Sequence, residues 1–496
     1  MGKIHLVILL VVSFFYMGCE NKSNNQTSDT TTSTKEFEGQ TIMVIVPTLS
    51  ANLIKGPILD EAKKFEAKTG AKIRVVTPGW NETIEKTKQS LTDPNLNYDI
   101  FVVISMWQGM LLGGDHVEPV PQWVKDKIDW EDVLPIYKKN ILSYNNKVYG
   151  LPYDGDCMNL YYRKDIFENQ QYKEKFFKKY GFELQPPKTW DEYKKIAQFF
   201  TGWDWDNDGK SEYGNSTLRK KGDIAMLQFL ATAAAYGKHP EDKAYFFDPD
   251  TLKPRINNPA FVKALEDYIE LVRYAPDGAI NFAGHDVRNT FVMGEVAMAI
   301  DWADLGIYAA ENKVSILKGE QIGYAQLPGS NEVYNSITHN WDKRYNQVSS
   351  ISGNWSLFVN KDSKNKKLAF AFAAHMADKE LSKKLVATSG TAVNPSRFSH
   401  FKEYDSWTQN GFTKESAKRY LDEISKSLTN KNVEYDITLP EAGQYYQALD
   451  EEVYRALKGE LTVKNALNNA AKRWEDITNK TGREAQIKYY KASLNN

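Results

Sequence analysis

The sequence predicts an α/β protein, a mainly parallel sheet flanked by helices, in a chain large enough for two cores. Three observations carry this reading. Between residues 41 and 105, short β-rich runs alternate with amphipathic helical runs. The chain is 496 residues long, enough to fill more than one hydrophobic core. No segment repeats at a solenoid period.

The first residues read as an address. Lys3 precedes the apolar run "IHLVILLVVSFFYMG", too short and wrongly flanked for a transmembrane helix, so residues 1–18 are expected to be an export signal. The "YMGC" ending resembles a bacterial lipoprotein cleavage box, which implies cleavage before Cys19 and lipidation of that cysteine. An ordinary signal peptide cut elsewhere is the alternative. Residues 19–38 are polar and cannot offset their ordering entropy by burial, so a flexible tether is expected there.

The ordered elements come next along the chain. "TIMVIV" (Thr41–Val46) is a strand ending at Pro47. "GPILDEAKKFEAKTG" sets Ile58, Leu59, Ala62 and Phe65 on one helical face and stops at Gly70. "KIRVV" and "YDIFVVIS" are the next two strands, with the helix "NETIEKTKQSL" between them. This βαβαβ order predicts parallel strands, with ligands near their carboxyl ends. Trp80 and Trp107 stand there, in "TPGW" and "ISMWQG". "GLPYDGDCMNLYYRKDIF" leads into a second unit richer in helix, and "FVMGEVAMAI" runs from helix to strand before Trp302. The last hundred residues read as helical, with Trp474 on a core-facing stripe.

Composition narrows the function. Lys and Arg number 63 against 64 Asp and Glu, with no basic stripe, which weighs against nucleic acid. With Cys19 committed to lipid, Cys157 has no disulfide partner, and inert packing is its expected role. The chain has no HExxH, no GxSxG and no P-loop, so no catalytic constellation stands out.

Taken together, "ILDEAKKFEAKTGAKIRVV", "YDIFVV", "TWDEYKKIAQFFT", "FVMGEVAMAI", "YAQLPGS", "SGNWSLFVNKDSKNKKLAFAFAAHMADKE" and "SGTAVNPSR", in that order, resemble the family 1 extracellular solute-binding proteins of carbohydrate ABC importers. The resemblance implies a two-lobed fold of the type II periplasmic-binding class, each lobe a mainly parallel sheet flanked by helices, with a hinge between. Lobe I would hold residues 39–151 and 353–393, lobe II residues 155–348 and 396–496. Crossings are expected near 152–156, 348–352 and 394–397. It further implies a monomeric receptor of the cell envelope, lipid-anchored to the membrane on a periplasmic or extracytoplasmic face, that passes an oligosaccharide to permease subunits. A surface glycan-degrading enzyme, or a glycan-capturing lipoprotein with no ABC partner, are the rival readings.

Sugar recognition asks for flat aromatic faces and planar polar groups. The candidates are Trp80, Trp107, Trp302 and Trp355, with Asp154, Asp156, Asp301 and Arg397 as polar contacts. Each has a bland alternative, as core tryptophan, hinge cap or surface charge. One further motif stands apart. In "TGWDWDNDGKSEYG", Asp204, Asp206, Asp208 and Gly209 match the first half of a calcium loop, with Lys210 offering its carbonyl. Position 12 of the loop is Asn215, not glutamate; by resemblance to relatives with a similar loop, Glu212 would close the site. An Asx-rich exposed turn is the alternative.

Overall fold

The computed structural model describes residues 35–494, apart from 50, 51, 94, 206, 312 and 314. The export signal, Cys19 and nearly all of the tether lie outside the described residues, as does Asp206. Every element below belongs to one unit, Glu36–Asn496.

β1 (Thr41–Ile45), β2 (Lys72–Val76) and β3 (Ile100–Ile104) pair in parallel in the order β2-β1-β3. β3 is buried at all five positions because helices cover both faces of the sheet. α1 (Lys55–Thr69) joins β1 to β2 and ends at Gly70, whose φ of 76° suits a left-handed cap. Its buried face holds Ile58, Ala62 and Phe65, while Leu59 is only half-buried. Glu61 is buried instead, held by Lys64 at 2.6 Å and by His375 at 2.9 Å from a neighbouring helix.

Two later strands complete this sheet. Trp355–Val359 lies antiparallel to β3, and Gly150–Pro152 lies antiparallel to it in turn. The second sheet has the order Ile322–Ala325, Met158–Arg163, Val296–Trp302, Tyr213–Ser216. Only its last pair is parallel. Both sheets are therefore mixed rather than mainly parallel. The reason is the hinge: Trp355–Val359 and Met158–Arg163 each enter their sheet from the crossing, and so run opposite to strands that end there.

The chain passes from the first sheet to the second over Pro152–Met158 and returns over Ile351–Trp355. The third passage falls later than 394–397. Ser396 O accepts a hydrogen bond from Leu134 N at 2.9 Å, which keeps this stretch on the first lobe. The helix Lys414–Thr429 then packs on the second sheet. Ser349–Ile351 pairs in parallel with Val433–Tyr435, the one strand in a C-terminal region that is otherwise helical among the described residues.

Asp436 knits the pivot together, accepting from Gly353 N at 3.0 Å, from the Tyr446 hydroxyl at 3.0 Å and from the Ser105 hydroxyl. The second core centres on Ala225–Gly237, buried all round, against the helices Pro259–Glu270 and Ala442–Leu457. Trp474 is fully buried there and donates its Nε1–H to Tyr445 O at 2.7 Å. Cys157 is buried at the first crossing, and burial pushes its thiol up to about 12, so it is inert at neutral pH. Among the described residues no helix is long and apolar enough to cross a membrane.

Candidate functional site

A cleft opens between the two lobes, and the carboxyl ends of β2 and β3 feed its first wall. Trp80 begins α2 (Trp80–Ser90) just after β2, and Trp107 lies in α3 (Ser105–Gly113) just after β3. Trp355 begins the strand that neighbours β3. The three rings gather into one cluster, with centroids 4.4 Å (Trp80–Trp107), 6.1 Å (Trp80–Trp355) and 6.5 Å (Trp107–Trp355) apart. Trp80 is half-buried, whereas Trp107 and Trp355 are each only 4 % exposed. The Trp107 Nε1–H is buried without a hydrogen-bond acceptor among the described residues.

The second wall comes from the end of Val296–Trp302 and from the helix Gly284–Val292. Arg288 on that helix grips two aspartates at once. Its Nε donates to Asp301 Oδ2 at 2.8 Å, its Nη1 to Asp304 Oδ2 at 2.6 Å, and its Nη2 to Asp304 Oδ1 at 2.8 Å. Burial pushes the Asp301 carboxyl upward and Arg288 opposes it. The guanidinium thus bridges the two carboxyl groups through short, charge-assisted hydrogen bonds.

Trp302 anchors this wall to the hinge, donating its Nε1–H to Ser352 O at 2.9 Å. That contact requires glycine at position 353, where φ is 88° and a Cβ would stand 2.8 Å from Trp302 Nε1.

The floor is the first crossing. Asp154 Oδ1 accepts from Asn394 N at 2.6 Å, and Asp156 Oδ1 accepts from Asn394 Nδ2 at 2.6 Å. Burial pushes Asp154 up to about 7. Burial, and then the charge of Asp154, drives Asp156 well above the ordinary carboxylate range. Both carboxyls are thereby biased toward their protonated forms.

The space has two compartments. One of about 630 Å³ is bounded by Trp80 and Trp355 on one side and Arg288, Asp301 and Trp302 on the other, with Asp156 at its floor. The other, about 500 Å³, runs from Trp80 and Trp107 to Asp450 on the helix Ala442–Leu457. Trp80, Gly222 and Asp223 border both, so the two are adjacent.

The structure thus brings Trp80, Trp107, Trp302, Trp355, Asp156 and Asp301 to the cleft, with Asp154 just beneath. Arg397 does not belong there. It is fully buried in the first lobe, donating through Nη1 to Ile128 O at 2.9 Å and through Nη2 to Ala377 O at 2.5 Å, a brace between backbone segments. Arg288 and Asp304 join the site without being among the residues expected from sequence. Asp304 has a sequence signal, since "DWAD" sets it three residues from Asp301. Arg288 has none, because a charged residue on an amphipathic helix reads as solvated.

The acidic loop lies on the second lobe. Asp204, Asp208 and Glu212 each offer a carboxylate oxygen within 4.8 Å of the others. Gly209, at φ 86°, makes the sharp turn and donates its N–H to Asp204 Oδ2 at 3.1 Å. Glu212 is buried and accepts from Trp205 N at 2.9 Å. Lys210 Nζ pairs with Asp208 Oδ2 at 3.0 Å. Three hard oxygen donors meeting around one point fit calcium chemistry.

Residues 61–411 match the sequence pattern of a family described as bacterial extracellular solute-binding protein. The chain belongs to that family.

The fold agrees. The ABC transporter solute-binding protein of Agrobacterium radiobacter, solved in complex with ribitol, superposes with a TM-score of 0.70 at 22 % identity. That match covers 89 % of this chain and all of the other, and shows the two-lobed fold. A putative binding protein of Brucella abortus is 24 % identical over 249 residues, covering 49 % of this chain and 54 % of its own length. The mannitol-binding protein of Pseudomonas aeruginosa is 26 % identical over 297 residues, covering 59 % of each chain. The matched stretch of this solute-binding protein thus spans little more than half the length of these curated relatives.

Proposed function

We propose that this protein is a carbohydrate receptor that hands a neutral oligosaccharide to an ABC importer. The observation that carries the reading is the tryptophan cluster facing the Arg288–Asp301–Asp304 clamp across a cleft between two lobes. Indole faces cover the C–H patches of a pyranose, and carboxylates accept its hydroxyl hydrogens. The ribitol complex and the mannitol-binding relative support a polyhydroxylated ligand. Small-molecule sites typically span ~300–1,000 Å³, so two adjacent compartments of this size suit several sugar rings rather than one.

Asp156, Asp223, Asp301 and Asp304 line the larger compartment against Lys220 and Arg288, and Arg288 is already engaged by its own aspartates. An acidic glycan would meet repulsion here. A ligand touching both walls stabilises the closed form, and only such two-sided contacts move the hinge equilibrium. The receptor works as a monomer tethered outside the membrane through lipid on Cys19. Its loop at Asp204, Asp208 and Glu212, completed by Asp206 and the Lys210 carbonyl, takes a structural calcium ion.

Calorimetric titration of the purified protein against neutral oligosaccharides, uronic-acid oligosaccharides and free polyols tests the reading. Chromatography of each mixture tests for products. Tight binding of a neutral oligosaccharide without products is the expected result; preference for an acidic glycan or for a free polyol overturns the ligand class, and cleavage overturns the receptor. A chelator should lower Tm, with calcium alone restoring it; an unchanged Tm makes the loop a turn.

A further inference from the structure

Behind the second wall of the cleft lies a buried cation without a counter-charge among the described residues. Arg219 is 1 % exposed. Its guanidinium sits 5.0 Å from the Tyr268 ring centroid and makes one hydrogen bond, from Nη1 to Thr217 O at 3.4 Å. Its Nε and Nη2 hydrogens have no acceptor among the described residues. The titratable groups that act on it are Tyr268 and Tyr193, not a carboxylate. Arginine stays charged even when buried, so the charge needs a partner.

The surroundings supply further unused polar groups. The hydroxyls of Thr217 and Tyr193 are both buried without a hydrogen-bond partner among the described residues, and so is Asn215 Oδ1. Asn215, Thr217 and Arg219 stand at alternate positions where the strand Tyr213–Ser216 runs on into residues 217–220, and all three are buried. Leu218 and Lys220, the residues between and after, border the cleft instead. Tyr193 lies near enough for the guanidinium charge to oppose the upward push that burial gives its phenol.

We propose that Arg219 holds a buried monovalent anion, chloride in ordinary media, with the Thr217 and Tyr193 hydroxyls as additional donors. A single guanidinium matches a single negative charge; phosphate or sulfate would leave charge uncompensated. Asn215 Oδ1, an acceptor, suits a water beside the ion. The anion steadies the segment Leu218–Lys220 from behind, so its removal loosens one border of the ligand cleft. This site stands independently of which solute the cleft receives.

Crystals grown in bromide provide the deciding experiment. An anomalous peak within hydrogen-bonding reach of the Arg219 guanidinium is expected. Density there that fits only ordered water, with bromide absent or found elsewhere, overturns the proposal. In solution, replacing chloride by gluconate at constant ionic strength should lower Tm by about 2 °C or more, since a bound ion stabilises by mass action. Arg219→Met should abolish that dependence on the anion, and a dependence that persists in the variant counts against the site. Should the variant fail to fold, the bromide map and the anion exchange on the unaltered protein still decide.

Discussion

Three side chains at the cleft differ in what they stake on their surroundings. Trp80 is half-buried and borders both compartments, so Trp80→Ala removes a stacking face while sparing the core. Central aromatic anchors commonly contribute about 2 kcal/mol or more. The expected outcome is sugar affinity about thirty-fold weaker by titration, with little change in Tm. Arg288 is the opposite case. Arg288→Met leaves Asp301 and Asp304 buried without their cation, and breaking such a pair costs about 3–5 kcal/mol. Urea unfolding should show a loss of that size, and Asp301→Asn in the same background should recover part of it.

The third, Asp154 in the floor, gives a pH signature. Its carboxyl is raised to about 7 in the folded chain, against about 4 when unfolded. The folded state therefore binds the extra proton between these values, and stability falls as pH rises from about 4 to about 7. Each such proton contributes a slope of roughly 1.4 kcal/mol per pH unit. Glu434 and Asp436, raised by burial at the same hinge, act in the same direction. Asp154→Asn should remove about one proton's share of the slope in denaturation curves across that range; an unchanged slope would place the proton elsewhere.

At the scale of elements, the junction between Ile351 and Trp355 governs how the second wall meets the hinge. Gly353→Ala would force a methyl group against Trp302 at a positive φ, a conformation costing about 1–3 kcal/mol for a non-glycine residue. Trp302 would have to leave Ser352 O. The variant should therefore lose both stability and ligand affinity, and the Trp302 share of any ligand-induced fluorescence change should disappear. Lowered stability with unaltered affinity would detach Trp302 from binding. Parallel pairing of β1, β2 and β3 was legible because apolar runs alternate with amphipathic helices over short distances. The antiparallel partners were not, because a strand's direction depends on the lobe from which the chain arrives.

At the scale of the molecule, the prediction concerns closure. A ligand that bridges the Trp80–Trp355 wall and the Arg288–Asp301 wall should reduce the radius of gyration in solution scattering. Trp80→Ala, saturated at higher concentration, should still close; a ligand that binds without any compaction would contradict a hinge mechanism. The cluster of polar contacts at Asp436 and Asn394 marks the region about which the lobes would turn.

The sequence by itself determined the family, the βαβαβ start and the aromatic character of the cleft. Each of these rests on local pattern or on motifs in fixed order. Its placement of Trp80, Trp107, Trp302 and Trp355 at strand and hinge junctions came from the same local signals. Tertiary structure alone decided which arginine serves the site. Arg288 and Arg397 look alike in sequence, each a lone arginine near polar neighbours. One turns to two aspartates brought in from 13 and 16 residues away, the other to carbonyls more than 200 residues distant at Ile128 and 20 residues distant at Ala377. A buried charge takes whichever partners the packed lobes bring within reach, and that choice is made only when the elements meet.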